Sequence, residues 1–399
     1  MQEQGQNWED VMSSLMQARS KDLPYEKVLS SMCTYPHPIA VEAYKMFIES
    51  NMGDYGLFMG TYELEQAILS MLGDLLHNPH PYGYLTTGGT ESNIQAVRAM
   101  RNACKSINDP NIIVPASAHF SFDKIADVLK IDVRKARILS DLVVDTSHMR
   151  SLIDQNTVGL VGIAGSTEFG QVDPISELSK IAIDNHIFLH VDAAFGGFVL
   201  PFIGQHPSFD FLLPGVSSIA IDPHKMGMSI IPSGALLFRE EKMMLSLKVD
   251  TPYLTISNQY TLTGTRSGAS VAGTYAVMKF LGKEGYRYIV NRCMALTYLL
   301  IEEAKKIDVH PVIDPVMNIV ALSVLDPKTI RKELANKFGW QVSITKQPSS
   351  IRLVVMPHMT EESIIAFVQD LKKVLEHLKT STNTGSEKSY DFDGTGNMA

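Results

Sequence analysis

From Tyr62 the chain reads YELEQAILSMLGDLL, in which Leu64, Ala67, Ile68, Met71, Leu72 and Leu75 return at the spacing of one helical face. The pattern predicts a helix that turns this face to a core. Beyond it the period changes. Short apolar runs, NIIV at 111, VGLVGIA at 158, IFLHV at 187, SSIAI at 217 and ALLF at 235, alternate with helical segments. One such segment, DPISELSKIAIDNH, offers Asp173 as a cap and Pro174 in the first helical turn. The alternation predicts βαβ units, hence an α/β fold whose mainly parallel central sheet is covered by helices. Ligands of such sheets sit beyond the carboxyl ends of the strands.

Residues 1–50 read as an N-terminal helical arm interrupted at the proline-rich YPHPIA, the kind of arm that meets a partner subunit. Residues 51–280 carry the βαβ pattern of a large domain. Residues 281–379 change to helix, strand, helix, strand, helix and end in TEESIIAFVQDLKKVLEHLK, with Thr360 as its cap, which predicts a smaller α+β domain. Residues 380–399 lack an apolar period and are expected to be disordered.

With 399 residues, 45% of them hydrophobic, the chain can bury a large core and a second, smaller one. A formal net charge of -8 without any long Lys/Arg block argues against nucleic acid or an anionic membrane as partner, which leaves a small molecule. Cys33, Cys104 and Cys293 are scattered, with no CxxC pair, so neither a disulfide framework nor a cysteine zinc site is expected, and a reducing cytoplasm fits. The polar N-terminus lacks an apolar signal core, and no run approaches the roughly 18 apolar residues of a membrane span.

Four stretches carry chemistry. In YLTTGGTESNIQAVRAMRNA a Thr/Gly cluster opens onto a helix, so the backbone can approach a ligand and the first-turn N–H groups can receive a phosphate. In NHIFLHVDAAFGG an apolar strand ends in Asp192, a carboxylate that needs a partner if buried. In IDPHKMG, Lys225 follows a buried-strand pattern 33 residues after Asp192, a spacing that fits one crossover and a return to the same sheet edge. In VPASAHFSFDK, His119 stands between small residues, with Ser121 free to donate a hydrogen bond. Each has a plainer reading alone: a solvated lysine, a turn, a satisfied structural Asp, a packed imidazole.

Together they form a constellation. A phosphate cradle, a carboxylate and a lysine at one sheet edge are what pyridoxal 5'-phosphate requires: an anion site, a partner that keeps the pyridine nitrogen protonated, and an amine for a Schiff base. Burial and neighbouring cations lower a lysine from its ordinary pKa of about 10.4, which favours the nucleophilic amine.

The series TTGGTESN, HFSFDK, AGSTEFG, HVDAAFGG and DPHKMG, in that order, resembles the group II pyridoxal-phosphate-dependent decarboxylases of fold type I. The resemblance is closest to the archaeal tyrosine/aspartate decarboxylases of methanofuran and coenzyme A biosynthesis. It runs from MGDYGLFMGT at 52 to VVMPH at 354 and includes GTRSG at 264. It implies that Lys225 holds the cofactor covalently, Asp192 pairs with the pyridine nitrogen and His119 stacks on the ring. It places Gly89, Thr90 and His224 around the phosphate and Thr167 near the phenolic oxygen. Asp222 stands where some relatives have Asn and is given no phosphate contact. Proton return to the α-carbon is expected from a loop after the lysine, where VDTPYLTISNQYTL offers Tyr253 and Tyr260, Tyr253 being favoured. A homodimer is implied, its arm and loops crossing between subunits.

Arg352 alternates with apolar residues in IRLVVMPH; a guanidinium matches a carboxylate by two parallel hydrogen bonds, so Arg352 is expected to bind substrate, with Arg266 as a second cation from its own or a neighbouring subunit. Competing readings are an aminotransferase, a glutamate decarboxylase, a carbon–carbon lyase acting on a phosphorylated amine, or an inactive scaffold that keeps the fold. A metal hydrolase is disfavoured, since His119, His190 and His224 show no paired-ligand spacing. Tyrosine calls for an apolar slot with a polar end and aspartate for a second cation, and the spacing alone does not choose between them.

Overall fold

The structure, a computed structural model, describes residues 1–384. The first helix, α1 (Trp8–Arg19), is capped by Asn7, whose side chain accepts the Asp10 N–H at 2.9 Å. Trp8, Val11, Met12, Leu15 and Met16 recur at helical spacing along it, and all are exposed. The next helix, α2 (Pro38–Met46), starts within YPHPIA. Pro38 occupies the opening turn, where its missing N–H breaks no helical hydrogen bond. The proline therefore begins a helix and does not interrupt one, contrary to the sequence expectation. In α3 (Met59–Leu75) the expected apolar face is present, and it buries Glu65 beside Ile68, Leu69 and Leu72.

The large sheet comes next in the chain: β1 (Tyr82–Thr86), α4 (Gly89–Ala103), β2 (Asn111–Pro115), α5 (Ser121–Leu129), β3 (Asp132–Ala136), α6 (Thr146–Ser151), β4 (Thr157–Ile163), α7 (Ile175–Asp184), β5 (Phe188–Asp192), β6 (Val216–Ile221) and β7 (Gly234–Phe238). Its seven strands lie in the order β1-β7-β6-β5-β4-β2-β3. β7 runs antiparallel to both neighbours, and the pairs from β6 through β5, β4 and β2 to β3 are parallel. β2, β4 and β7 are buried along their whole length, which is why they read as continuous apolar runs without alternation. Asp173 does not cap α7. It is 3% exposed, and its two oxygens accept the Val144 N–H at 2.9 Å and the Ile163 N–H at 2.8 Å, so it clamps the end of β4. Burial raises its carboxyl to about 6 against those two donors.

After α8 (Glu241–Leu245), the short pair β8 (Val249–Asp250) and β9 (Asn258–Gln259) encloses the loop that carries Tyr253. The long helix α9 (Gly268–Lys305) is broken at Gly282, which takes φ 55°. Then β10 (Ile319–Leu322), α10 (Pro327–Phe338), β11 (Ser343–Ile344), β12 (Ile351–Val354) and α11 (Glu361–Thr384) form a three-stranded antiparallel sheet backed by helices. Thr360 caps α11, its Oγ1 accepting the Ser363 N–H at 3.2 Å. Of the tail expected from residue 380, α11 takes the part up to Thr384, and residues 385–399 lie outside the described residues.

This second sheet has its own core, in which Trp340 is 1% exposed and stacks edge-on against Phe367. Trp340→Ala is expected to destabilise the protein by about 3–5 kcal/mol, read as a lowered urea midpoint. A loss below about 1 kcal/mol would show that this core does not depend on the indole.

Candidate active site

Five connections leave the carboxyl ends of parallel strands at the same edge of the large sheet, and each delivers a polar group to one cavity of about 340 Å³. After β1 comes the Thr87–Thr90 turn, after β2 come Ser117 and His119, after β4 comes Thr167, β5 ends in Asp192, and after β6 come Asp222, His224 and Lys225. The size is that of a small-molecule site. The resemblance had distributed Lys225, Asp192, His119, Gly89, Thr90, Thr167 and His224 around a cofactor, and the structure brings all seven to the walls of this cavity.

Asp192 ends β5, and Lys225 follows the end of the neighbouring parallel strand β6, in which Ala220 is in register with Asp192. Asp192 is 8% exposed; its Oδ1 accepts the Ala194 N–H at 3.1 Å and its Oδ2 accepts from Asn93 Nδ2 at 2.9 Å. Lys225 Nζ lies 3.0 Å from Asp222 Oδ2. This pairing corrects the expected state of the lysine. Burial does push its pKa down, but the carboxylates of Asp222 and Asp192 outweigh burial and the net direction is up, so without a ligand Lys225 is an ammonium.

The cradle is built from backbone. Gly88 has φ 137°, which side chains rarely adopt, and a Cβ there would stand 3.0 Å from His224 Cε1, tighter than ordinary contact. At Gly89 a Cβ would stand 3.1 Å from both Ala194 Cβ and Asp222 Oδ2. The turn is fastened by Glu91, whose Oε2 accepts from the Thr87 N–H and hydroxyl, each at 2.8 Å. The first-turn N–H groups of α4 therefore face the cavity without intrahelical acceptors. His224 packs against the Ser233 backbone, Nδ1 lying 2.5 Å from the carbonyl oxygen, while Nε2 is 3.8 Å from Asp222 Oδ2. His119 Nδ1 accepts the Ser121 N–H at 3.2 Å. Burial lowers the pKa of that imidazole more than Asp192 raises it.

Three cations or acids stand elsewhere. Arg266 donates to Glu65 Oε1 at 2.6 Å, to the Leu85 carbonyl at 3.0 Å and to the Met52 carbonyl at 3.3 Å. Its guanidinium thus compensates a buried carboxylate within its own chain, and Arg266 is not among the residues that line this cavity. Tyr253 is 85% exposed, on the β8–β9 loop that Thr255 ties to Asp54, and it does not reach the cavity of its own chain. Arg352, within β12, is 5% exposed; Nη1 donates to the Ser30 carbonyl at 3.0 Å, while Nε and Nη2 are buried without a partner. Burial lowers its pKa to about 10, against the pull of Glu168. Arg352 is not among the residues that line the cavity, though Ser30 is two positions from the lining Met32 and Glu168 is next to the lining Thr167.

The sequence reading passed over Asn93, Glu91 and Ser117, and it named Asp222 without giving it a role. Asp222 stands three residues before Lys225, a signal that spacing could have supplied. Asn93 lies four residues into the cradle helix, and nothing local marks which way it faces.

The cavity suits a phosphorylated aldehyde with a basic ring nitrogen. The glycine cradle can take the phosphate, Asp192 the ring nitrogen, Lys225 the aldehyde carbon. Buried atoms on the walls, Asp222 Oδ1, Glu91 Oε1 and Ser117 Oγ, lack partners within the chain. Fold and site together define a pyridoxal-phosphate enzyme of fold type I. Among solved structures, sphingosine-1-phosphate lyase of Burkholderia pseudomallei superposes with a TM-score of 0.87 at 28% identity, covering 96% of this chain and 94% of that one. Glutamate decarboxylase of Lactobacillus brevis shares the fold at a TM-score of 0.87 and 23% identity, covering 95% and 94%.

A profile of the pyridoxal-dependent decarboxylase conserved domain matches residues 25–324, and the chain belongs to that family. Its cofactor is pyridoxal 5'-phosphate, and its chemistry is that of an amino-acid carboxy-lyase. The chain is 58% identical over 391 residues to a probable L-tyrosine/L-aspartate decarboxylase of Methanosarcina acetivorans, covering 94% of this chain and 99% of that protein. It is 52% identical to a probable L-aspartate decarboxylase of Archaeoglobus fulgidus, covering 92% and 99%.

Arg266→Ala leaves Glu65 as an uncompensated buried charge and is expected to cost about 3–5 kcal/mol of unfolding free energy in urea. A substrate-binding arginine would instead leave the unfolding free energy unchanged.

Proposed function

We propose that the protein decarboxylates L-tyrosine, L-aspartate or both, releasing carbon dioxide with tyramine or β-alanine. The observation that carries this reading is the convergence of Lys225, Asp192 and His119 on one cavity whose floor is a glycine cradle. The names of the most similar relatives support the substrate class. Tyramine and β-alanine also suit the methanofuran and coenzyme A roles that the resemblance suggests.

When bound, pyridoxal phosphate supplies an electrophilic aldehyde and a cationic ring that accepts the electron pair left by departing carbon dioxide. The rest is the work of the chain. Lys225 holds the cofactor through its amine, and Asp222, 3.0 Å away, is placed to take the ammonium proton that this requires. Asp192 keeps a proton on the ring nitrogen. His119 would pack on the ring face, Gly89, Thr90 and His224 would hold the phosphate, and Thr167 would stand near the phenolic oxygen. Arg352 receives the substrate carboxylate: its two unpartnered N–H groups are costly to bury and suit a bidentate anion.

The walls lean toward tyrosine. Met32, Phe120, Ile163 and Phe195 line the cavity, and among the described residues no arginine does. The same reading makes the enzyme a cytoplasmic homodimer, supported by the exposed apolar stripe of α1 and by the exposed β8–β9 loop. Among the described residues no helix is long and apolar enough to cross a membrane. In a homodimer Tyr253 would enter the neighbouring cavity and return a proton from its hydroxyl to the α-carbon.

Product analysis tests the reading: tyrosine and aspartate are each expected to yield carbon dioxide and the amine, tyrosine with the larger kcat/KM. A keto acid product would overturn it in favour of an aminotransferase. Arg352→Lys should raise the substrate KM by about tenfold or more while cofactor content stays at the parental level; parallel loss of cofactor would mark a structural arginine. Tyr253→Phe should slow amine release and increase side products, and a parental rate with clean product would remove Tyr253 from the mechanism.

A further inference from the structure

Behind Asp192 lies a run of buried polar groups that these roles leave unused. Asn93, on α4, is 1% exposed, and His190, two residues before Asp192 on the same face of β5, is 0% exposed. Asn93 Nδ2 donates to Asp192 Oδ2 at 2.9 Å and to Ser121 Oγ at 3.0 Å. Asn93 Oδ1 lies 3.0 Å from His190 Nε2, and His190 Nδ1 lies 2.9 Å from Ser218 Oγ, on the residue paired with it in β6.

Charge fixes where the hydrogens are. A carboxylate only accepts, so Asn93 turns its amide nitrogen to Asp192 and its oxygen to His190. His190 Nε2 must then carry the proton, and Nδ1 accepts from the Ser218 hydroxyl. Burial keeps this imidazole neutral, lowering its pKa to about 4 against the pull of Asp192, so the polarity of the chain does not reverse near neutral pH. The second branch runs to the other side of the site. Ser121, whose Oγ accepts from Asn93, gives its backbone N–H to His119 Nδ1. One amide thereby ties the carboxylate to the imidazole proposed to pack on the ring.

We propose that Asn93, aligned by His190, is the positioning residue that keeps the Asp192 carboxylate aimed at the ring nitrogen of the cofactor. The proposal rests on the role given above to Asp192. Its physical basis is that the Asn93 N–H is a donor to a charged, nearly buried acceptor. The Ala194 N–H holds the other oxygen, so both Asp192 oxygens are oriented only while Asn93 is present.

The test compares pyridoxal phosphate with its 1-deaza analogue, in which a C–H replaces the ring nitrogen, as ligands of the full-length chain stripped of cofactor. The parental chain is expected to bind pyridoxal phosphate about tenfold or more tightly than the analogue. Asn93→Ala should weaken pyridoxal phosphate about tenfold or more while the analogue stays within about twofold, because only the natural ring presents a nitrogen to Asp192. His190→Leu, which leaves the Asn93 oxygen without a donor, should lose part of the preference. His190→Gln, which restores an amide N–H, should keep more of it, and this pair carries the test should Asn93→Ala fail to fold. If Asn93→Ala weakens both ligands equally or neither, or if the two His190 variants are alike, Asn93 is merely structural and the inference falls. A parental chain with no preference between the ligands would overturn the role of Asp192 itself, and with it this inference.

Discussion

Lys225 Nζ and Asp222 Oδ2 stand 3.0 Å apart in a cavity where both side chains are largely shut off from water. A charge in such a place is tolerable only beside its opposite, and the pairing sets the resting condition of the whole site. It holds the lysine as an ammonium until a ligand arrives, and it places a carboxylate to receive the proton that a reacting amine gives up. Asp192, on the adjacent strand, adds a second negative charge. The resulting field suits a ligand with a cationic ring, while the glycine cradle offers neutral backbone N–H groups to the same cavity.

The fold supplies that arrangement by repetition. Parallel strands end at one edge, and every connection from that edge begins beside its neighbours. Asp192 and Lys225 come together because β5 and β6 are paired in register, and the Thr87–Thr90 turn joins them because β1 closes the sheet across the antiparallel β7. Packing fixes the rest. Gly88 takes a φ of 137° that side chains rarely adopt, and a Cβ at Gly89 would press on Ala194 and Asp222 at 3.1 Å, closer than ordinary contact.

Much of this was legible in the sequence. Five strands of the large sheet appear as apolar runs because they are buried on both faces, and the α3 face appears as a helical period. β1 and β3 escaped for physical reasons: YGYLT carries a glycine where a Cβ would strike the Leu236 carbonyl, and DVRKA is a polar strand at the sheet edge. Asp173 was misread because a local Asp-Pro pattern looks like a cap, whereas its oxygens serve distant N–H groups. The lysine's ionisation was misjudged because burial was weighed without Asp222. The ion pair of Arg266 was not legible because its partner, Glu65, lies 201 residues away on a helix face that otherwise reads as apolar. The His190–Asn93 chain is a tertiary product, assembled from two strands and a helix, and no stretch of sequence announces it.

The central claim is that the amine at position 225 carries the cofactor, and it can be read directly. Borohydride reduction of the purified enzyme, followed by peptide mass spectrometry, should find a phosphopyridoxyl group on the peptide containing Lys225 and on that lysine alone. An unmodified Lys225, or the same group fixed to a different lysine, would contradict the account.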